Sequence, residues 1–202
     1  MKLTSAHKLL LATNLALVFG FGWYYLQSAN YEFVAYAGTI LLVSIVLTVT
    51  QKFSRFPSYI WLGITLWAVM HMLGGSVQTV DGVLYAYRIV PFFDGGGEFY
   101  ILKYDQVVHA FLYGVVGLMF YHLLRVVVGV RSHRVFIAAT AIFAAAGFSI
   151  INEIIEFLAA VNLPETGVGG YHNTVLDMIF NLGGATIAVL LYLIRERHHV
   201  RD

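Results

Sequence analysis

Cysteine is absent from the 202 residues. That excludes disulfides and thiolate metal sites, and it leaves the redox compartment unread. Charge is also scarce. Asp, Glu, Lys and Arg together make up 11% of the chain, where a soluble domain carries about a quarter. The formal net charge is only +1, without the concentrated basic surface that phosphate binding requires, so nucleic acid is excluded as a partner. There is no internal repeat and no low-complexity tract. No HExxH occurs, and there are not the two Glu-x-x-His motifs of a di-iron bundle.

What is present is apolar. Hydrophobic residues make up 59% of the sequence, which predicts an all-α polytopic membrane protein with membrane lipids as its surroundings, organised as a single integral domain over 1–202. A span needs about 20 apolar residues. Six segments qualify, at about 9–26, 33–49, 59–74, 105–126, 135–160 and 174–194. Lys2 and Lys8 precede the first apolar run as in a signal peptide. That run continues through Phe19, Trp23 and Tyr25 with no A-x-A site behind it, so it reads as a retained helix.

Lys and Arg set the orientation. With the N-terminus in the cytoplasm, Lys2, Lys8, Lys52, Arg55, Arg125, Arg131, Arg134, Arg195, Arg197 and Arg201 fall inside. Only Arg88 and Lys103 fall outside, so ten of the twelve basic residues are internal. Both termini are therefore expected in the cytoplasm. The loop over 75–104 is long for a compact membrane domain. It carries LYAYRIVPFF, suited to the outer interface, and a turn at Asp94–Gly97. It reads as a cap over the outer face or as an interfacial anchor.

The polar residues inside the spans carry the functional signal. A charged side chain at the centre of a membrane helix costs about 2.5–3.5 kcal/mol on insertion scales, so several together mark a site. With the orientation above, His71 late in the third helix, Asp105 and His109 early in the fourth, Asn152, Glu153 and Glu156 late in the fifth, and His172, Asn173 and Asp177 at the start of the sixth share the outer level. Residues four apart share a helix face. Asp105, His109 and Tyr113 form one stripe, and Asn173, Asp177 and Asn181 another. Gly74, Gly75, Gly114, Gly147, Gly183 and Gly184 would let helix backbones approach closely. His7, His122, His133, His198 and His199 read as solvated or interfacial groups near the cytoplasmic ends.

Three chemistries fit this set. Imidazole and carboxylate ligate Zn, Mn and Fe, and carboxylates suit Mg. Four carboxylates close together in low dielectric cannot all stay ionised unaided, and a divalent metal would resolve that. In this reading His71, Asp105, His109 and His172 are metal ligands, and Glu153, Glu156 and Asp177 are catalytic and also reach the ion. Arg88, Tyr113, Asn152 and Asn173 bind substrate, a lipid or polyprenyl-phosphate headgroup. Arg88 either clamps a phosphate or carboxylate, or pairs with Asp81, Asp94 or Glu98. The second chemistry is a proton- or ion-coupled transporter using the same carboxylates. The third is a satisfied buried network that fixes helix register in a non-catalytic lipid- or drug-binding protein.

HMLGG at 71–75, LYAYRIVPFF at 84–93, YDQVVHAF at 104–111, NEIIEF at 152–157 and HNTVLDMIFNLGG at 172–184 follow one another in an order that resembles the YjdF-like family of bacterial and archaeal inner-membrane proteins. The resemblance covers about 59–192 and implies a multi-pass protein of the inner (plasma) membrane. The family usually has Asp-Thr where this chain has Asn173-Thr174, whereas Asp177-Met178 matches. More distantly, the run Asp-x-x-x-His, then Glu, then Asp-x-x-x-Asn-x-x-Gly is similar to the VanZ-like membrane proteins. The YjdF-like resemblance implies no activity. The substrate, the metal and the oligomeric state are not legible in the sequence.

Overall fold

The computed structural model describes residues 3–162, 167 and 169–199. Six helices account for most of it: α1 Ser5–Gln27, α2 Tyr31–Ser54, α3 Ser58–Ser76, α4 Tyr104–His122, α5 Arg134–Asn162 and α6 Tyr171–His199. Each expected span falls on one of them. The chain divides into two compact units, Met1–Tyr87 and Arg88–Asp202.

Five helical segments are long and apolar enough to cross a membrane: Ser5–Gln27, Tyr31–Ser54, Tyr104–Val127, Arg134–Asn162 and Tyr171–Glu196. The segment expected at 59–74 is helical but does not reach that standard. Trp61, Trp67, His71, Gly63, Gly74 and Gly75 dilute its apolar character, and ten of its 19 residues are buried. A helix covered largely by protein needs less apolar surface than one facing lipid.

In the first unit, α2 buries Phe33, Ala37, Ile40, Ser44, Leu47, Gln51 and Ser54. These positions alternate steps of four and three, the seam of a supercoiled helix pair. α1 answers with His7, Asn14, Val18 and Tyr25. Polar groups tie the seams together. Asn14 Nδ2 donates to Ser44 Oγ at 3.3 Å, Trp61 Nε1 donates to Gln51 Oε1 at 3.1 Å, and the Tyr25 hydroxyl donates to the Met72 carbonyl. Such bonds bind helices where lipid offers no hydrophobic drive. His7 departs from the sequence reading. It is buried, its Nε2 3.3 Å from Ser58 Oγ and its ring against Trp61. Its Nδ1 accepts from the Thr4 N–H, so it serves as half of a capping box at the start of α1 rather than as a solvated group.

In the second unit, α4, α5 and α6 all pack on one another. The α6 stripe Asn173, Asp177, Asn181, Ala185, Val189 and Leu193 is buried throughout. It steps by four and changes from polar to apolar along its length. α4 faces it with small residues. A Cβ on Gly114 would lie 3.3 Å from Ala188 Cβ, one on Gly117 would lie 3.4 Å from Ala185, and one on Gly184 would overlap the backbone of Ala110. The expected close approach therefore holds at Gly114 and Gly184. It does not hold at Gly147 and Gly183, which have nothing within 4 Å, nor at Gly74 and Gly75, which instead seat the rings of Tyr85 and Phe33. Below the polar end, Tyr113, Val116, Ala145 and Ala185 form one apolar cluster. Tyr121, Ile137, Ala138, Ala141, Val189 and Leu193 form the next.

The connection from α3 to α4 is ordered, and the unit boundary runs through it. Within the first unit it forms a tight antiparallel pair, β1 Gln78–Thr79 with β2 Gly82–Val83. Within the second it forms an antiparallel hairpin, β3 Arg88–Asp94 with β4 Tyr100–Lys103. The expected turn lies between these two strands. Asp94 Oδ1 accepts from the Gly96 N–H at 3.0 Å, and Gly96 and Gly97 take positive φ. Every residue of β3 is exposed.

The hairpin tip is fastened to the start of α6. Both carboxylate oxygens of Glu98 accept from the Gly170 N–H, at 2.9 and 2.8 Å, and the Phe99 ring stacks on His172 at 5.4 Å. A carboxylate on the first free N–H of a helix satisfies an orphan donor and meets the positive end of the helix dipole. Glu98→Ala is expected to lower unfolding stability by about 1 kcal/mol, read as a lower thermal midpoint in detergent. An unchanged midpoint would show that the contact contributes nothing.

Candidate functional site

The site grows out of the first turn of α4. Gln106 fixes that turn. Its Nε2 donates to the Tyr100 carbonyl at 2.8 Å and its Oε1 accepts from the Lys103 N–H at 3.1 Å. Asp105 and His109 then project one turn apart on one face, with Asp105 Oδ1 3.5 Å from His109 Nε2. From α5, Glu156 Oε1 comes within 3.9 Å of the same nitrogen. Asn152, one turn earlier, donates to that Glu156 oxygen at 2.7 Å.

α6 supplies the other wall. Asn173 Nδ2 donates to Asp177 Oδ2 at 2.7 Å and to Asp105 Oδ2 at 3.3 Å, and its Oδ1 accepts from the Lys103 ammonium. Asn181 Nδ2 donates to Glu153 Oε1 at 3.4 Å, while its Oδ1 lies 3.0 Å from His109 Nδ1. These contacts orient both amides. Only the nitrogen of an amide can face a carboxylate, so Asn181 presents its oxygen to the histidine. His109 Nδ1 therefore carries a proton, and Nε2 is turned toward Asp105 and Glu156, both of them acceptors. A proton or a cation belongs between them.

The spacing suits a cation. Asp105, His109 and Asp177 each offer a ligand atom within 4.8 Å of the others, and so do Glu153, Glu156 and Asp177. Two ligands held about 2.0–2.2 Å from one ion stand about 3–3.5 Å apart, close to the Asp105–His109 distance. A histidine that donates its other ring N–H to a carbonyl oxygen is the usual support of a metal ligand. Two buried carboxylate oxygens, Asp177 Oδ1 and Glu153 Oε2, have no hydrogen-bond partner, and Asp177 is 0% exposed. Leaving such oxygens bare in a low-dielectric interior is costly unless a ligand meets them.

The structure thus brings together Asp105, His109, Asn152, Glu153, Glu156, Asn173 and Asp177. Lys103 and Asn181 join them. Lys103 was legible only as an outer-loop cation, and its position directly before Tyr104-Asp105 was the available signal. His71 lies in the first unit, hydrogen-bonded to the Tyr85 hydroxyl and ringed by Trp67, Tyr36 and Phe33. His172 is exposed and stacked on Phe99. Neither histidine belongs to the two ligand groups among the described residues. Tyr113 is buried against Val116, Ala145 and Ala185. Arg88 pairs in strand register with Lys103, and its guanidinium lies 4.9 Å over the Tyr100 ring.

Residues 8–198 match a family model described as predicted membrane protein, DUF2238. The chain belongs to this family. The match takes in both units and every residue of the cluster. It supports the YjdF-like resemblance, which names the same family, and does not extend to the VanZ-like proteins. No curated protein and no solved structure matches the chain. Membership in DUF2238 makes this a membrane protein and leaves its chemistry to be argued from the cluster.

Proposed function

We propose that this DUF2238 protein is a metal-dependent enzyme of the inner membrane, acting on a lipid or polyprenyl-phosphate headgroup. The observation that carries the reading is the setting of His109. Asn181 holds the ring by Nδ1, and Nε2 faces Asp105 and Glu156 across gaps of 3.5 and 3.9 Å. Both gaps are too long for direct hydrogen bonds, and the shorter one suits two ligands on one ion. Zn, Mn, Fe or Mg fits the donor set.

The placement follows from charge and level. Ten of the twelve basic residues fall on one side if α3 crosses the membrane along with the five apolar segments, which sets both termini in the cytoplasm. The start of α4, the end of α5 and the start of α6 then lie toward the outer leaflet. The exposed β3 residues Ile89, Val90, Phe92 and Phe93 suit that interface. Lys103 reaches the cluster through Asn173, and Arg88 is its partner in strand register, so an anionic headgroup would enter past these two cations. In the reaction, water attacks phosphorus, a cluster carboxylate takes its proton, the bond from phosphorus to the lipid oxygen breaks, and the departing oxygen takes up a proton. A divalent cation held by Asp105, His109 and Asp177 would supply Lewis-acid chemistry for this displacement.

Elemental analysis of the protein purified in mild detergent, beside a His109→Ala/Glu156→Ala double variant, tests the reading. Near-stoichiometric metal after equilibration with Mn or Zn, lost in the variant, is the expected result. A wild type that takes up no divalent ion would overturn it and leave Asp105, His109 and Glu156 as a proton-carrying network.

A further inference from the structure

The two potential ligand groups are not alternatives. Asp105, His109 and Asp177 make one, Glu153, Glu156 and Asp177 make the other, and the residue they share is Asp177. A carboxylate common to two ligand sets is the arrangement of a bridged pair of ions, and paired ions of this kind sit about 3.5–4 Å apart. The 3.9 Å approach of Glu156 Oε1 to His109 Nε2 shows that the two groups adjoin.

The unpartnered atoms divide in the same way. Asp177 Oδ1, on a side chain with no exposure, belongs to the shared residue, and Glu153 Oε2 belongs to the second group alone. One ion between Asp105 and His109 would leave the Glu153 oxygen without a counterpart. Meanwhile Asn152, Asn173 and Asn181 donate to one oxygen of each of the four carboxylates and steady them. Each group thus has an amide-supported frame and a bare oxygen.

Charge points the same way. Asp105, Asp177, Glu153 and Glu156 ionised against Lys103 leave three negative charges. One divalent ion leaves one negative charge, and a second makes the site positive by one. Only the doubly loaded site attracts an anion such as a phosphoester.

We infer that the second unit holds two divalent cations bridged by Asp177, one bound by Asp105 and His109 and the other by Glu153 and Glu156, as a centre for in-line displacement at a phosphoester. The inference rests on the metal reading above and goes beyond it in number and arrangement. Two ions clamp the attacking and the departing oxygen together, which a single ion in either group cannot do.

The test uses the full chain in detergent, stripped with chelator and titrated with Mn²⁺ alone. Calorimetry and elemental analysis are expected to give two equivalents, and the loaded protein an exchange-coupled electron paramagnetic resonance spectrum. His109→Ala and Glu153→Gln/Glu156→Gln are each expected to keep one equivalent and lose the coupling. Asp177→Asn is expected to weaken both sites at least tenfold. The coupled spectrum needs no variant, so misfolding of a mutant does not blunt the test. A single equivalent with an uncoupled spectrum would overturn the bridged pair and leave the metal reading standing. No Mn²⁺ bound, with the same result for Zn²⁺, would overturn both.

Discussion

Gly184→Val is expected to remove most of the folded protein. A Cβ at this position overlaps the carbonyl and Cα of Ala110. Those are backbone atoms, so no side-chain rotation relieves the overlap, and α4 and α6 must separate. The contacts of Gly114 and Gly117 with Ala185, Ala188 and Val189 would loosen with them. Overpacking costs about 1–3 kcal/mol where side chains can yield, and here the cost is expected at or above the top of that range. Folded domains hold only about 5–15 kcal/mol in all. The check is the monodisperse peak and thermal midpoint in detergent, with Gly183→Val and Gly147→Val as companions. Both of those glycines face open space, so their variants are expected to keep the peak. Equal loss in all three would assign the effect to β-branched residues in helices rather than to the contact of α4 with α6.

Asn181→Leu is expected to cripple the site while leaving the fold in place. Leucine keeps the branched outline, is somewhat bulkier, and offers neither donor nor acceptor. The His109 Nδ1 proton would lose its acceptor at 3.0 Å, and Glu153 would lose its donor at 3.4 Å. Loss of a group that orients a metal ligand typically costs about 10–100-fold in metal affinity. The orphaned buried groups add about 1–3 kcal/mol of instability. Mn²⁺ titration of the variant reads the first effect and its thermal midpoint the second. Unchanged affinity would show that Asn181 plays no part in aiming the imidazole.

Several features of the site are written in the sequence because they depend on one helix at a time. The four-residue spacing of Asp105 and His109, and of Asn173, Asp177 and Asn181, predicts shared faces without knowledge of any neighbour. The cost of each acid in an apolar span marks Glu153, Glu156 and Asp177 singly. Pairing across helices is different. That Asn181 reaches His109 from 72 residues away, or that Glu98 closes the start of α6, depends on how the helices lie against each other. Lys103 escaped notice for the same reason, since it ends β4 and its partner Asn173 lies on α6. Gly147 and Gly184 look alike in sequence, and only the neighbouring backbone separates an idle glycine from an indispensable one.

The sequence by itself determined the class of the protein, its six helices to within a few residues, and most of its cluster. Hydropathy and helical spacing are local, additive properties, and a membrane reads them residue by residue. Tertiary structure decided the rest. It sent His71 into an aromatic setting in the first unit, buried His7 as a cap, and turned the imidazole of His109 by its Nδ1 proton. It also made Asp177 the member common to both ligand groups. The outcomes at His109 and Asp177 depend on distances of about 3–5 Å between side chains on different helices, which packing sets, whereas the Thr4–His7 cap and the Trp67–His71 stack join near neighbours in sequence.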